Sequence, residues 1–290
     1  GREYWWLRSE VNEVFEDAGY HLIPRHFYSP VPDPALVASH DFAANHFPLD
    51  ALGWDTAAGR KLLEGIQTTV RELSDKFPSD REGPADFYWR NPFFTGLDAA
   101  MLHVFVREWR PNRILEIGSG YSSLIALNAL SANGSGRLTC VEPYPSQVVR
   151  ALGDRIDLLN DKVQSVPLGR FDQLMPGDIL FVDSSHVAAL GSDVLHQMFN
   201  ILPRLKKGVI IQIHDIFLPD DYPASWVKER RWYWNEQYVL YALMRLSDAF
   251  RILSPNHYLA ATETKLVNKL LHFVPEENRT GASFWIEKVQ

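Results

Sequence analysis

The chain has 290 residues, enough for one large α/β domain or a domain with an extension. Hydrophobic residues make up 46% and charged residues 22%, the balance of a globular protein with a core, and no run reaches the ~18 apolar residues of a membrane-spanning helix. Net charge is −7, which argues against a phosphate-rich nucleic-acid partner, although Lys228, Arg230 and Arg231 form a local basic run. The single cysteine, Cys140, excludes an internal disulfide and a multi-cysteine zinc site and fits a reducing compartment. No secretory segment is visible, so a cytoplasmic location and no membrane partner are expected. The start at Gly1 is expected to be a trimmed N-terminus.

Residues 1–86 read as a helical or irregular extension, placed to serve as a lid. Tyr4–Glu16 and Ala57–Phe77 have helical patterns, and Pro30, Pro32 and Pro34 force an extended path between them. Pro78–Pro84 is a polar linker. Residues 87–290 form a second region with a different rhythm. Leu97–Trp109 is an apolar-periodic helix ended by Pro111. Strands are then expected at Arg113–Ile117, Arg137–Val141, Asp161–Val166, Asp178–Asp183 and Val209–Ile213, with helices at Ser122–Leu130 and Ser192–Leu205 between them. Alternation of this kind predicts a parallel sheet covered on both faces. A helix over Tyr233–Leu246 and strands at Phe250–Leu253 and Ser283–Val289 close the chain.

The most informative stretch is Glu116-Ile117-Gly118-Ser119-Gly120-Tyr121-Ser122-Ser123, a strand end that turns into a helix. Glycines permit the sharp turn and the close approach of a ligand to the backbone. The dinucleotide fingerprint requires a third glycine where Ser123 stands, so a nicotinamide enzyme is disfavoured. A carboxylate at Glu116 repels pyrophosphate but suits a ligand with a cationic amino group and no phosphate, as in S-adenosylmethionine (SAM). Glu142, at the end of the second strand, is placed to accept hydrogen bonds from two ribose hydroxyls.

Glu116-x-Gly118-x-Gly120 resembles the first motif of the class I SAM-dependent methyltransferases. The resemblance covers about residues 87–290. It implies a Rossmann-like, seven-stranded, mostly parallel sheet with an antiparallel last strand. It also implies Glu116 near the amino end of SAM, backbone contacts at Gly118, Ser119 and Gly120, and Glu142 on the ribose. Ser122 and Ser123 are candidate donors to the ligand, Val163-Gln164-Ser165 the candidate adenine side, and Tyr88, Arg90 and Asn91 candidates to face the pocket.

Ligands of such sheets bind beyond the carboxyl ends of the strands. There the fourth strand ends in Asp183-Ser184-Ser185-His186 and the fifth in His214-Asp215. Adjacent strands lie ~4.8 Å apart, so neighbours would bring both clusters to one site. Asp183 and Ser184 are expected beside the cofactor. His186 and His214 are candidate bases for a hydroxyl acceptor. Asp183, His214 and Asp215 are candidate ligands for a divalent cation. Asp183-x-x-His186 with a later acidic residue is similar to the macrocin-type sugar O-methyltransferases. That likeness implies Asp183 and Asp215 as magnesium ligands and His186 as base, though His214-Asp215 stands where that family has two acids. The other eight histidines, His26 and His46 among them, show no metal-ligand spacing. The aromatic run Trp226–Tyr238 is a candidate wall for the acceptor pocket. The expected activity is methyl transfer to a small molecule, at oxygen first, with nitrogen or carbon acceptors or a non-catalytic binding module of the same fold as alternatives.

Overall fold

In the computed structural model, residues 7–290 are described except Pro24, His26, Ala43, Asn45, His46 and Pro84. The expectations for residues 4–6 and for those six lie outside the described residues. Strand β1 (Arg113–Ile117) is the third strand of a seven-stranded sheet. β2 (Arg137–Val141) and β3 (Asp157–Leu159) lie to one side of it. β4 (Ile179–Val182), β5 (Ile210–Ile213), β6 (Phe250–Pro255) and β7 (Phe284–Lys288) lie to the other, in the order β4-β5-β7-β6. The first five strands pair in parallel, and β7 runs antiparallel to both β5 and β6. The helices are α1 (Leu7–Asp17), α2 (Pro34–Ser39), α3 (Thr56–Gly65), α4 (Gln67–Val70), α5 (Gly96–Trp109), α6 (Tyr121–Asn133), α7 (Gln147–Arg150), α8 (Asp193–His196), α9 (Ala224–Lys228), α10 (Glu236–Arg245), α11 (Asn256–Thr262) and α12 (Thr264–Leu270).

The two faces of the sheet follow from the period of two along each strand. Ile114, Ile179 and Phe181 point to the layer built from α3 to α6, α11 and α12. Leu115, Leu180 and Val182 point to the opposite layer, with Val194, Met198, Leu240 and Met244. α5 is buried on nearly every side from Leu97 to Val106, as expected of a helix that is apolar all round.

The chain divides into two units. The larger comprises residues 43–222 and 234–290. The smaller comprises residues up to Phe42 together with Pro223–Tyr233. Within it, Asp33 caps α2 by accepting from the Ala35 N–H at 2.8 Å and pairs with Arg25 at 2.6 Å. Lys228 lies over the Phe42 ring and Arg230 over Trp232.

The expected boundary at 86/87 therefore falls inside the larger unit. Leu63, Ile66, Val70 and Leu73 explain this, because all four are buried in the α5 layer. Each such side chain contributes about 1.5–3 kcal/mol of burial, which binds its segment to that core.

Three local expectations are corrected. The third strand is Asp157–Leu159, paired with Thr139–Val141, while Val163–Ser165 of the expected strand forms a 3-10 turn. The helix expected over Ser192–Leu205 is interrupted: α8 runs into a π turn at Gln197–Ile201 and a 3-10 turn at Leu202–Arg204. Pro203 lacks the N–H that a regular helix needs there. Third, the stretch after β6 folds into α11 and α12, which the sequence reading did not anticipate. No described helix is long and apolar enough to cross a membrane.

Candidate active site

The turn after β1 is held open by glycine. Gly118 has φ +78°, and a Cβ there would come within 1.8 Å of the Asp183 carbonyl oxygen. Its N–H donates to Val141 O, and Asp183 N–H donates to Ile117 O, so the ends of β1, β2 and β4 are drawn together. A cavity of about 410 Å³ opens beside this junction, lined by Gly118, Glu142, Tyr144, Gln164, Asp183 and Ser184 among others. Glu142 accepts from the Tyr144 N–H at 2.7 Å and the Ser119 N–H at 3.2 Å. The Ser119 and Ser184 hydroxyls are buried without a partner. A Cβ on Gly120 would meet nothing within 4 Å.

Glu116 is positioned differently from the expectation. It is 1% exposed, and its carboxylate accepts from the Ser122 and Ser123 hydroxyls at 2.5 and 2.6 Å, with Cys140 Sγ at 3.5 Å. The cause is strand alternation: Glu116 shares a face with Ile114 and lies under α6, away from the cavity lining. Ser122 and Ser123 are thereby committed to Glu116. Burial, opposed by those hydroxyls, pushes the Glu116 carboxyl up to about 7. Arg90 and Asn91 are likewise engaged elsewhere. Arg90 pairs with Asp80 and Glu277, while Asn91 bonds to the backbone of Tyr88, Phe93 and Phe94.

The expectation that the β4 and β5 ends converge is met by geometry. The strands are adjacent, and His214 N–H donates to Val182 O at 2.8 Å. His186 Nε2 lies 3.3 Å from Asp183 Oδ1 and 3.6 Å from Asp215 Oδ2. His214 Nδ1 lies 3.7 Å from Asp183 Oδ1 and 3.6 Å from Asp215 Oδ1. Both His186 (φ +60°) and Asp215 (φ +55°) sit in the left-handed region, at a cost of order 1–2 kcal/mol each.

Two buried carboxylates stand behind the two rings. Glu236, at the start of α10, places Oε2 2.9 Å from His186 Nδ1. The Asn235 and Glu236 N–H groups both donate to the His186 carbonyl, and the Trp234 ring packs 4.3 Å from the imidazole. Asp98, in the first turn of α5, places Oδ2 3.5 Å from His214 Nε2. Asp98 also accepts from Asn256 Nδ2 and from the N–H groups of Ala282 and Ser283. The sequence gives no role to Asp98 or Asn256, and to Glu236 only a place in the run expected to wall the acceptor pocket. An acidic residue opening a helix beside Trp234-Asn235 was visible, but nothing local ties it to a residue 50 positions earlier.

These charges set one another's protonation. Burial alone would lower the pKa of His186, but its hydrogen bonds to Asp183 and Glu236 outweigh that and push it up to about 10. His214 rises for a similar reason, with burial overcome by the charges of Asp215 and Asp183. Asp183 is held well below the usual carboxylate range, because the two rings outweigh its burial. Burial raises Asp215 and Glu236. Among the described residues, Asp183, His186 and Asp215 form a group able to offer three donor atoms within 4.8 Å of one another. This grouping takes His186 where the sequence reading took His214. The two rings approach opposite oxygens of Asp215, and His214 Nε2 faces Asp98.

Residues 115–216, which span β1 to β5 and both polar strand ends, match the family model described as a methyltransferase domain. An uncharacterized protein of Archaeoglobus fulgidus is 33% identical over 170 residues, covering 56% of this chain and 77% of its own length. Residues 115–216 thus form a methyltransferase domain, set in the seven-stranded, mostly parallel sheet of a Rossmann-like fold. The sheet order puts this methyltransferase's Gly118 turn and its Asp183 at the topological switch point, where open α/β sheets in general form a ligand crevice. Among solved structures, an O-methyltransferase of Bacillus cereus in complex with S-adenosylhomocysteine is 15% identical, with 83% of this chain and 94% of that one covered and a TM-score of 0.39. The O-methyltransferase of tomaymycin synthesis from Streptomyces achromogenes, in complex with SAM, is 18% identical, with coverages of 82% and 91% and a TM-score of 0.39. Likeness at this level carries no inference about the chemistry of this chain.

Proposed function

We propose that the methyltransferase moves a methyl group from SAM to a hydroxyl oxygen of a small molecule, with His214 taking the hydroxyl proton. The observation that carries this reading is the position of Asp183, which lines the cavity and is also a member of the histidine–carboxylate cluster. A cofactor in the cavity and an acceptor at the cluster would therefore meet at one residue.

The cavity suits SAM by size and chemistry. About 410 Å³ lies within the range of small-ligand sites. Glu142 would accept from the ribose hydroxyls, and the Ser184 hydroxyl, on the cavity lining and without a partner, would be available to the ligand. Glu116 would act at one remove, through Ser122 and Ser123, by fixing the turn.

Of the two rings, His214 is the one placed to act as base, and a cation on the neighbouring aspartates would offset the charges that raise its pKa. His186 is hydrogen-bonded to Glu236 through Nδ1 and its Nε2 lies 3.3 Å from Asp183, whereas His214 Nδ1 stands farther off, 3.7 and 3.6 Å from Asp183 and Asp215, and makes no hydrogen bond. Asp98 would stabilise the proton that His214 acquires. Asp183, His186 and Asp215 are suited to a divalent cation, because their ligand atoms lie within 4.8 Å of one another and include two carboxylate oxygens, 3.3 and 3.6 Å from His186 Nε2. A cation bound there would acidify the acceptor hydroxyl. The protein's part is to hold the hydroxyl between this group and His214 and to orient it toward the cavity.

Calorimetric titration with S-adenosylhomocysteine, with and without EDTA, tests the reading. Micromolar binding is expected. Absence of binding in both conditions would remove the enzyme reading and leave a non-catalytic module of the same fold.

A further inference from the structure

The group Asp183, His186 and Asp215 is unusual for a magnesium site, because one donor is an imidazole nitrogen. Magnesium demands oxygen ligands, whereas imidazole suits first-row transition ions. What decides the matter is how His186 is held. Its ring sits between carboxylates on both sides, and only one arrangement would present a lone pair to an ion held by Asp183 and Asp215: Nδ1 keeps its proton and Nε2 gives its own up to the ion.

Glu236 enforces that arrangement. Its Oε2 faces Nδ1 at 2.9 Å, and the side chain is fully buried, so it has no water to turn toward. The start of α10 fixes the backbone too, since Asn235 and Glu236 N–H groups both bond to His186 O. The Asn235 side chain also accepts from Ala188 N–H at 2.6 Å, closing the segment that carries His186. Those bonds maintain the left-handed backbone of His186, which aims Nε2 at the two aspartates. A carboxylate behind a histidine of this kind is the pattern that orients metal-ligating imidazoles and raises their basicity.

We propose that the methyltransferase holds a first-row transition ion, rather than magnesium, on Asp183, His186 Nε2 and Asp215, with Glu236 as the residue that positions His186 for it. The proposal rests on the metal reading above and goes beyond it in the ion's class and in the role of Glu236.

The test is titration of the purified protein with Co²⁺ and, separately, Mg²⁺, by calorimetry and by the visible spectrum of Co²⁺. Wild type, Glu236→Ala, Glu236→Gln and His186→Asn are compared, with S-adenosylhomocysteine affinity as the control for folding. Wild type is expected to bind Co²⁺ and to show a solvent-exchangeable, paramagnetically shifted N–H resonance from His186. Glu236→Ala should weaken Co²⁺ binding by 10- to 100-fold and lose that resonance. Glu236→Gln, which keeps an acceptor for the Nδ1 proton, should recover most of both. S-adenosylhomocysteine affinity should stay unchanged throughout. Co²⁺ binding that is indifferent to Glu236→Ala or His186→Asn, or Mg²⁺ binding as tight as Co²⁺, overturns the proposal and leaves the metal reading standing. A wild type that binds neither ion overturns both.

Discussion

His214 Nε2 lies 3.5 Å from Asp98 Oδ2, while Nδ1 of the same ring faces Asp183 and Asp215 at 3.7 and 3.6 Å. The ring thus bridges a buried carboxylate on α5 and the strand-end cluster. In His186 the corresponding buried carboxylate is Glu236, hydrogen-bonded to Nδ1 at 2.9 Å.

Replacing His214 by Ala should reduce turnover by ~10²-fold or more, the usual worth of a positioned base. S-adenosylhomocysteine affinity should change less than about threefold, since His214 does not line the cavity. Steady-state rates and calorimetry on one preparation check both. Unchanged turnover would exclude His214 as the base.

Gly118 and Gly120 should respond in opposite ways to alanine. At Gly118 a Cβ would strike the Asp183 carbonyl and the backbone is left-handed, so Gly118→Ala should cost about 2 kcal/mol or more and lower the melting temperature. At Gly120 nothing lies within 4 Å, so Gly120→Ala should leave the melting temperature nearly unchanged and weaken only cofactor binding. Equal melting shifts in the two variants would contradict this account of the turn.

Glu142→Ala should weaken S-adenosylhomocysteine by about 10- to 100-fold, corresponding to ~1–3 kcal/mol for a lost charged acceptor. Adenine alone should bind both proteins equally, because Glu142 is assigned to the ribose. Competition binding with adenine and adenosine separates these outcomes.

Two buried groups should give stability opposite dependences on pH. Burial pulls His103 down to about 4 from its ordinary 6.5, so between those values the unfolded chain binds more protons and stability rises with pH. Glu116 is pushed up to about 7 from 4.5, so the folded chain holds the extra proton there and stability falls as pH rises. Each effect is at most about 3 kcal/mol over its window. Urea denaturation between pH 5 and pH 7 should show His103→Gln losing more stability with rising pH than wild type, and Glu116→Gln losing less. Parallel slopes in all three proteins would refute both assignments.

Much of the fold was legible because its signals are local. The buried run Ile179–Val182, the Gly118–Gly120 turn after Arg113–Ile117 and the polar ends at Asp183 and His214-Asp215 are each contained in a few residues. Even the inward position of Glu116 was available in principle, since alternation from Ile114 puts it on the α6 face. The motif drew attention to the ligand instead.

Sequence by itself determined the alternation of strands and helices, the glycine turn and the residues that arrive at the strand ends, because spacing and periodicity fix which face a side chain takes. Only the tertiary structure decided that residues 43–86 join the sheet's unit, that Glu236 stands behind His186 and Asp98 behind His214, and that His186 groups with both aspartates. Those partners lie 50 and 116 positions apart along the chain. No local pattern encodes such pairs. They arise when α5 and α10 pack against the sheet and their first turns come to rest over the ends of β4 and β5.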